Sequence, residues 1–386
     1  MAGKELMPRH GALFLGASLY RGAGYGKRHP LAIPRVSLTQ DLIQACGALL
    51  PEEFQEARRA SLHELSRFHD RDYLNALMRC EALGKVPEAY RRRYGLGNLE
   101  NPYFPGIFSI PATASGASIQ GAEAVLGGKV AFNPAGGMHH AFPDRARGFC
   151  FLNDPVLAIL RLRQEGLRVL YWDMDAHFGD GVARALRHDG ATLAVSIHMD
   201  TRYAYPFEGG GMADVPEVNL PLPKGISDAE YAHAFGRLWP AVMEAFRPDA
   251  VVLQAGADAL GADPLGKFRL SIRQFLAVAR RMVADAPRHP DGTPKLLVLG
   301  GGGYHPIALA RCWAGLWGVL RGRELPEALP EAGRKLLAAV DWDDDEVALE
   351  APCEGPVRPE VRARVERLLD VHPLFKKKGA VLRQAP

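Results

Sequence analysis

The stretch DMDAHFGDG at 173–181 sets Asp173, Asp175 and His177 at alternate positions. On an extended chain such side chains point to one side, while Met174, Ala176 and Phe178 turn to the other, into packing. Two carboxylates and an imidazole crowded where water is excluded repel and lose hydration unless a cation sits among them. A divalent metal resolves this most simply; separate caps and ion pairs are the plainer alternative, because structural networks also collect acids. Asp263, in GADPLG, is the candidate to complete the set. Three protein ligands with an open position describe a catalytic site rather than a structural one. An Asp, His, Asp set is oxygen-rich, so zinc is favoured and Fe²⁺ or Co²⁺ could load.

A second constellation, GGMHHAF at 136–142, puts His139 and His140 side by side after two glycines. Attack of an activated water on a carbonyl needs a general base for the water's proton and an acid for the leaving group. Two adjacent imidazoles with different hydrogen-bond partners could divide those roles; ordinary loop histidines are the alternative. The run GGGGY at 300–304 admits three readings. A phosphate cradle would want the P-loop Lys-Ser/Thr, which is missing. A plain turn is the second. The third is a close backbone approach to the metal that aims the Tyr304 hydroxyl into the site, where it can donate to an oxyanion.

These residues need a scaffold that gathers them. Short apolar runs occur at 13–16, 130–132, 168–172, 192–197, 250–254 and 295–299, most of them apolar at both parities. That pattern predicts strands covered on both faces, as in a parallel sheet. Between them lie helix-compatible segments, among them 154–165, with Asp154 expected as N-cap and proline next, and 271–285, opening on Ser271. Alternating strands and helices predict an α/β sheet with right-handed crossovers. In such sheets ligands gather beyond the carboxyl ends of the strands. Just past the runs stand His139 and His140; Asp173, Asp175 and His177; His198; Asp258 and Asp263; and Tyr304.

The chain has 386 residues, 47% of them apolar, and no internal repeat or low-complexity linker, which favours one domain over 1–386 with a core of about 10–375. The net charge of +3 is dispersed, with only the short run Lys376–Lys378, so no nucleic-acid or membrane-surface partner is expected. Five cysteines without a CxxC argue against a disulfide framework and a thiolate zinc site. With no signal-peptide pattern at the start and no apolar run of ~18 residues, the expected location is cytoplasmic. The acidic stretch 341–350 and the basic stretch 358–378 read as solvated surface.

NPAGGMHHAF, GFCFLND (148–154), DMDAHFGDG, SIH (196–198), QAGADALGADPLG (254–266) and GGGGYHP (300–306) together resemble the zinc-dependent histone deacetylase superfamily. The bacterial deacetylase-like and acetoin-utilisation members are closest in character. The likeness extends from KRHPLAIPRVSLTQDLI (27–43) through YGLGNLENPYFPG (94–106) to about residue 320. It implies a single arginase/deacetylase-type α/β domain with an eight-stranded parallel sheet. It also implies one Zn²⁺ held by Asp175, His177 and Asp263. His139 would pair with Asp173 and His140, the general base, with Asp180. Tyr304 would polarise the acyl oxygen. Phe149 and Tyr205 would wall a tube for an acyl-lysine stem, Gly148 would offer its carbonyl to the substrate amide, and Glu100 would clamp substrate backbone. Arg35 would line a product channel. A structural K⁺ would use Asp173, Asp175, His177, Ser196 and Ile197. One departure is Phe178, where the family commonly carries a second histidine; core packing is the expected role of this phenylalanine.

The implied reaction is hydrolysis of an acetylated lysine or small acylated amine to acetate and the free amine. Two rivals are a dinuclear manganese ureohydrolase of the same fold, for which a second ligand set is missing, and a silent acyl-lysine binder, which would not need a proton shuttle. At the rim, Leu270 stands where a polyamine-selective member is expected to carry an acid, which tilts the substrate towards acyl-lysine-like stems and away from acetylpolyamines.

Overall fold

Strands apolar at both parities demand cover on both faces, and the computed structural model of the chain supplies it. The structure describes residues 11–376 apart from 23, 27–28, 327, 343–352 and 354. Residues 343–350 of the acidic stretch, Lys377, Lys378, and Lys27 and Arg28 of the first family-like segment lie outside the described residues.

Eight strands form one sheet: β1 (Ala12–Gly16), β2 (Phe54–Glu56), β3 (Val130–Asn133), β4 (Val169–Asp173), β5 (Thr192–Met199), β6 (Val218–Leu222), β7 (Ala250–Gln254) and β8 (Leu296–Leu299). All pairings are parallel, in the order β2-β1-β3-β8-β7-β4-β5-β6. Alternate residues go to opposite layers, as the period of two requires. Leu170 and Trp172 of β4, with Val251 and Leu253 of β7, join a core that includes Trp239, Phe275 and Trp313 from the helices Asp228–Phe246, Ile272–Asp285 and Pro306–Leu320. Val169 and Tyr171, with Ala250 and Val252, join another that holds Val125 and Ile159 of the helices Ser109–Leu126 and Asp154–Arg163.

The strands absent from the sequence reading are the two edge strands. β2 is three residues long and largely exposed, and β6 is interrupted by Asn219 and Pro221, so β2 lacks the length and β6 the unbroken apolar run of a central strand. The N-cap of the helix at 154 is Asn153, whose side chain accepts from Val156 N–H, and not Asp154. Asp154 is turned inward for another purpose, described below. The basic tail is less solvated than expected: Val361, Val365 and Leu368 of the helix Pro359–Val371 are buried in the main core.

The strand order explains where the site forms. The chain passes from β3 to β4 and leaves two places between them, which β7 and β8 later fill. Loops after β3 and β4 therefore face each other across the ends of β7 and β8, at a switch point of the kind that binds ligands in open α/β sheets.

Candidate active site

The loop after β3 is held from beneath by buried polar groups. Asp154 accepts from Ser118 Oγ (2.5 Å), Gly137 N–H (3.0 Å) and Met138 N–H (2.9 Å). Burial raises its carboxyl to about 6, although these bonds favour the charged form. Asn153 Nδ2 donates to the carbonyls of Ala141 (2.9 Å) and His139 (3.4 Å). His69 in turn accepts from Asn153 N–H at Nε2 (2.9 Å), while its Nδ1 lies 3.2 Å from the Pro143 carbonyl. The pattern assigns a neutral ring with its proton on Nδ1, and burial lowers its pKa to about 4.

On this support the two imidazoles meet. His139 Nδ1 lies 2.8 Å from Asp173 Oδ2, His140 Nδ1 lies 2.7 Å from Asp180 Oδ1, and the two Nε2 atoms are 3.0 Å apart. Burial by itself would lower His139, but the charges of Asp173 and Asp175 outweigh it and lift the ring to about 9. His140 falls to about 4, through burial and the positive charge of His139. A protonated His139 donating to a neutral His140 accounts for the short Nε2 contact. The pair is thus differentiated into a proton holder and a proton acceptor.

Beside it lie more carboxylates than cations. Asp175 Oδ2 accepts from Gln254 Nε2 and Gly302 N–H, each at 2.8 Å, and Oδ1 from His177 N–H at 2.9 Å. His177 Nδ1 is 3.1 Å from Asp175 Oδ1 and 2.9 Å from Asp258 Oδ2. Among the described residues, the group whose donor atoms all lie within 4.8 Å of one another, as a metal requires, is Asp175, His177 and Asp258. Asp263 is outside that group. Its Oδ1 accepts from Leu265 and Gly266 N–H and its Oδ2 from Tyr304 N–H (2.7 Å), which fixes it beside the tyrosine. Burial raises both Asp258 and Asp263, and Asp175 raises Asp258 further. Three buried carboxylates around one imidazole fit a divalent cation, whose charge would remove the repulsion.

The glycines of 300–304 are there because nothing larger fits. A Cβ on Gly302 would stand 2.1 Å from Asp258 Oδ2 and 2.8 Å from Asp175 Oδ2. Of the three readings of this run, close approach to the carboxylates is the one the geometry supports.

A cavity of about 350 Å³ opens over the cluster, with His140, His177 and Tyr304 among its lining residues. Gly148, Phe149, Tyr205 and Glu100 line it too. The ring of Phe149 meets Tyr304 edge-on at 5.8 Å, and that of Tyr205 meets His140 at 4.7 Å. Glu100 accepts from the Tyr205 hydroxyl (2.7 Å) and from Gly148 N–H, so one of its oxygens already serves the wall itself. The Gly148 carbonyl takes Cys150 Sγ at 3.3 Å. Burial and the neighbouring carboxylates push the Tyr304 phenol well above its usual range, which keeps it a donor. Leu270 does not line the cavity: it is 2% exposed, bridged to Leu260 in the main core, because the chain after Asp263 turns back under the sheet end. A narrower cavity touches His139, His140, Asp175 and Arg35, whose Nη1 donates to the Gly303 carbonyl at 2.7 Å. Ser196 and Ile197 are buried in β5, with Ser196 Oγ 2.8 Å from His198 Nδ1. Phe178 packs against His198, ring centroids 5.0 Å apart.

Sequence reasoning passed over Asp258 as a neighbour of His177, Gln254 as a donor to Asp175, and Arg147, whose Nε lies 2.8 Å from Asp180 Oδ2. Gln254 and Asp258 do stand at the end of an apolar run, which is a usable signal; Arg147 has none.

A Histone deacetylase domain model matches residues 29–320. The chain is 36% identical over 305 residues to Histone deacetylase 8 of Xenopus tropicalis, covering 77% of this chain and 80% of that one. A crystal structure of an HDAC homolog from Aquifex aeolicus superimposes with a TM-score of 0.86 at 38% identity, covering 92% of this chain and 99% of that chain. A structure of an HDAC homolog complexed with SAHA gives the same TM-score at 39% identity and the same coverage. The match over most of the chain, on a sheet whose strand ends gather these histidines and carboxylates, makes the protein a member of the histone deacetylase family, whose domain implies amide hydrolysis.

Proposed function

We propose that the chain is a metal-dependent amidohydrolase that removes acetyl or other short acyl groups from acyl-lysine or related acylated amines. The observation that carries this reading is that His140, held at Nδ1 by Asp180, Tyr304, and His177, which sits against Asp175 and Asp258, line one cavity. We assign one divalent ion, Zn²⁺ with Fe²⁺ or Co²⁺ as substitutes, to Asp175, His177 and Asp263. Asp263 is preferred to Asp258 because it retains 7% exposure and sits beside Tyr304, which lines the cavity, whereas Asp258 is fully buried. The tight grouping of Asp258 with His177 favours a second reading in which Asp258 is the third ligand. When bound, the ion would supply Lewis acidity to the acyl carbonyl and to the attacking water.

The chain's own groups supply the rest. With Nδ1–H committed to Asp180, His140 Nε2, which faces His139 Nε2 at 3.0 Å, is the ring atom with a lone pair to take the proton from water. Tyr304 donates to the developing oxyanion. His139, already charged beside Asp173, is the group able to return a proton to the departing amine. Phe149 and Tyr205 flank an apolar stem and exclude water along it. Arg35 lies on the narrow cavity by which acetate would leave. A structural K⁺ beneath the site, at Asp173, Asp175, His177, Ser196 and Ile197, is part of the same reading, and so is a reducing, cytoplasmic setting, which suits five free cysteines.

The substrate tilt no longer rests on Leu270. Lys224 and Lys267 line the mouth, where a polycationic amine would meet like charge. Acetyl-lysine peptide, acetylputrescine and acetylspermidine should be compared on zinc-loaded protein, with Tyr304→Phe as control. Peptide turnover is expected to dominate and to fall roughly 10²–10³-fold in the control. Polyamine turnover far above peptide turnover would reverse the substrate assignment.

A further inference from the structure

Asp180 has two carboxylate oxygens and two different partners. Oδ1 faces His140 Nδ1 at 2.7 Å, while Oδ2 faces Arg147 Nε at 2.8 Å. The Arg147 Nη2 reaches on to Glu208 Oε1 at 2.6 Å. Its guanidinium carbon also stands 5.7 Å from the Tyr205 ring centre and 5.1 Å from that of Phe142, whose ring is approached by Arg184 as well, at 5.0 Å. Two backbone bonds, Arg147 N–H to the Cys150 carbonyl (3.0 Å) and Cys150 N–H to the Arg147 carbonyl (2.9 Å), close the turn that presents Gly148 and Phe149 to the cavity.

We infer that Arg147 is a positioning residue for the proton-accepting imidazole: it clamps Asp180 so that Oδ1 stays on His140 Nδ1 and the lone pair stays on Nε2. The inference rests on the hydrolase reading for its kinetic consequence but not for its geometry.

The need for a clamp follows from the surroundings. Asp180 lines an open surface cleft of about 520 Å³, which Arg184, Arg187, His188, Glu208 and Asp214 also line. Asp180 itself is only 8% exposed at that edge, and without a partner its buried Oδ2 would draw the carboxylate round towards the cleft arginines. That movement would release His140 Nδ1–H, and the other tautomer, protonated on Nε2, cannot accept a proton there. The planar guanidinium, seated against the Phe142 and Tyr205 rings, holds the second oxygen as a close ion pair and removes that freedom, while the Glu208 carboxylate on its other side is solvent-exposed and adds little. A lysine, lacking the planar group that rests on the two rings, would reproduce the attraction from a less fixed position.

The test compares wild type with Arg147→Met, Arg147→Lys and Glu208→Gln. Arg147→Met is expected to lower kcat by on the order of tenfold, as loss of an outer charged partner does, with KM changed less than about twofold. Arg147→Lys should recover at least half of that loss on a logarithmic scale. Glu208→Gln should stay within about twofold of wild type. Ring ¹⁵N shifts of His140 in the metal-free protein give a readout that packing alone would not move: a single Nδ1–H tautomer in wild type and a mixture in Arg147→Met. An unchanged tautomer in Arg147→Met overturns the inference, as does a loss in Glu208→Gln equal to that in Arg147→Met. If wild type turns over none of the acylated amines, the hydrolase reading fails, and the tautomer comparison decides the role of Arg147 independently.

Discussion

His69 lies outside the cavity yet carries the loop that holds His139 and His140, and acid should reveal it. Its ring accepts from Asn153 N–H and points Nδ1 at the Pro143 carbonyl, an arrangement that only the neutral form satisfies. Burial holds its pKa at about 4, below the ~6.5 of an unfolded histidine. A folded state that binds fewer protons than the unfolded one gains stability as pH rises. The His69 contribution is therefore complete above about pH 6.5, declines as pH falls through 6.5, and stops changing below about pH 4. At pH 5 the separation from 6.5 is about 1.5 units, or ~2 kcal/mol at ~1.36 kcal/mol per unit. His198 and other buried groups titrate as well, so the comparison must be differential. His69→Gln keeps an acceptor for Asn153 N–H and removes the titration. Urea unfolding at pH 7.5 and pH 5 should show wild type losing ~2 kcal/mol more than His69→Gln over that interval. Parallel losses in the two proteins would refute the assigned tautomer and its energetic role.

Metal content separates the two candidate third ligands: Asp263→Asn should retain well under half an equivalent of zinc by elemental analysis, while Asp258→Asn retains most of it, and the reverse outcome would give the ligand role to Asp258. Gly302→Ala drives a methyl into Asp258 and Asp175 and should cost roughly 10²-fold in kcat/KM, the penalty of displacing reacting groups by about 1 Å; steady-state rates near wild type would refute the close approach. Replacing Lys224 and Lys267 together by glutamate should raise the acetylspermidine-to-peptide ratio of kcat/KM by about tenfold, measured in direct competition, and no change would remove the mouth charges from specificity.

Much of the site was legible because it is local. Asp173, Asp175 and His177 announce themselves by alternate spacing at the end of β4, and His139 with His140 by following two glycines at the end of β3. The central strands are legible for a related reason, being apolar at both parities where both faces are covered. Edge strands lack that signature, and Pro221 in β6 masks what remains. Asp154 looked like a cap because Asp before Pro usually is one; Asn153 competes for the position and wins it, freeing Asp154 to hold Gly137 and Met138.

The amino-acid order by itself determined which side chains share a strand end and which chemistry they can perform, since periodicity of two or 3.6 residues is a property of neighbours. Only the tertiary structure decided which ends meet. The insertion of β7 and β8 between β3 and β4 brings Asp258 to His177, Gly302 to Asp175 and Tyr304 to Asp263, and the folding of the 147–150 turn over Asp180 brings in Arg147. Those contacts join residues tens to more than a hundred positions apart, so they depend on the packing of whole layers, and no local pattern encodes them.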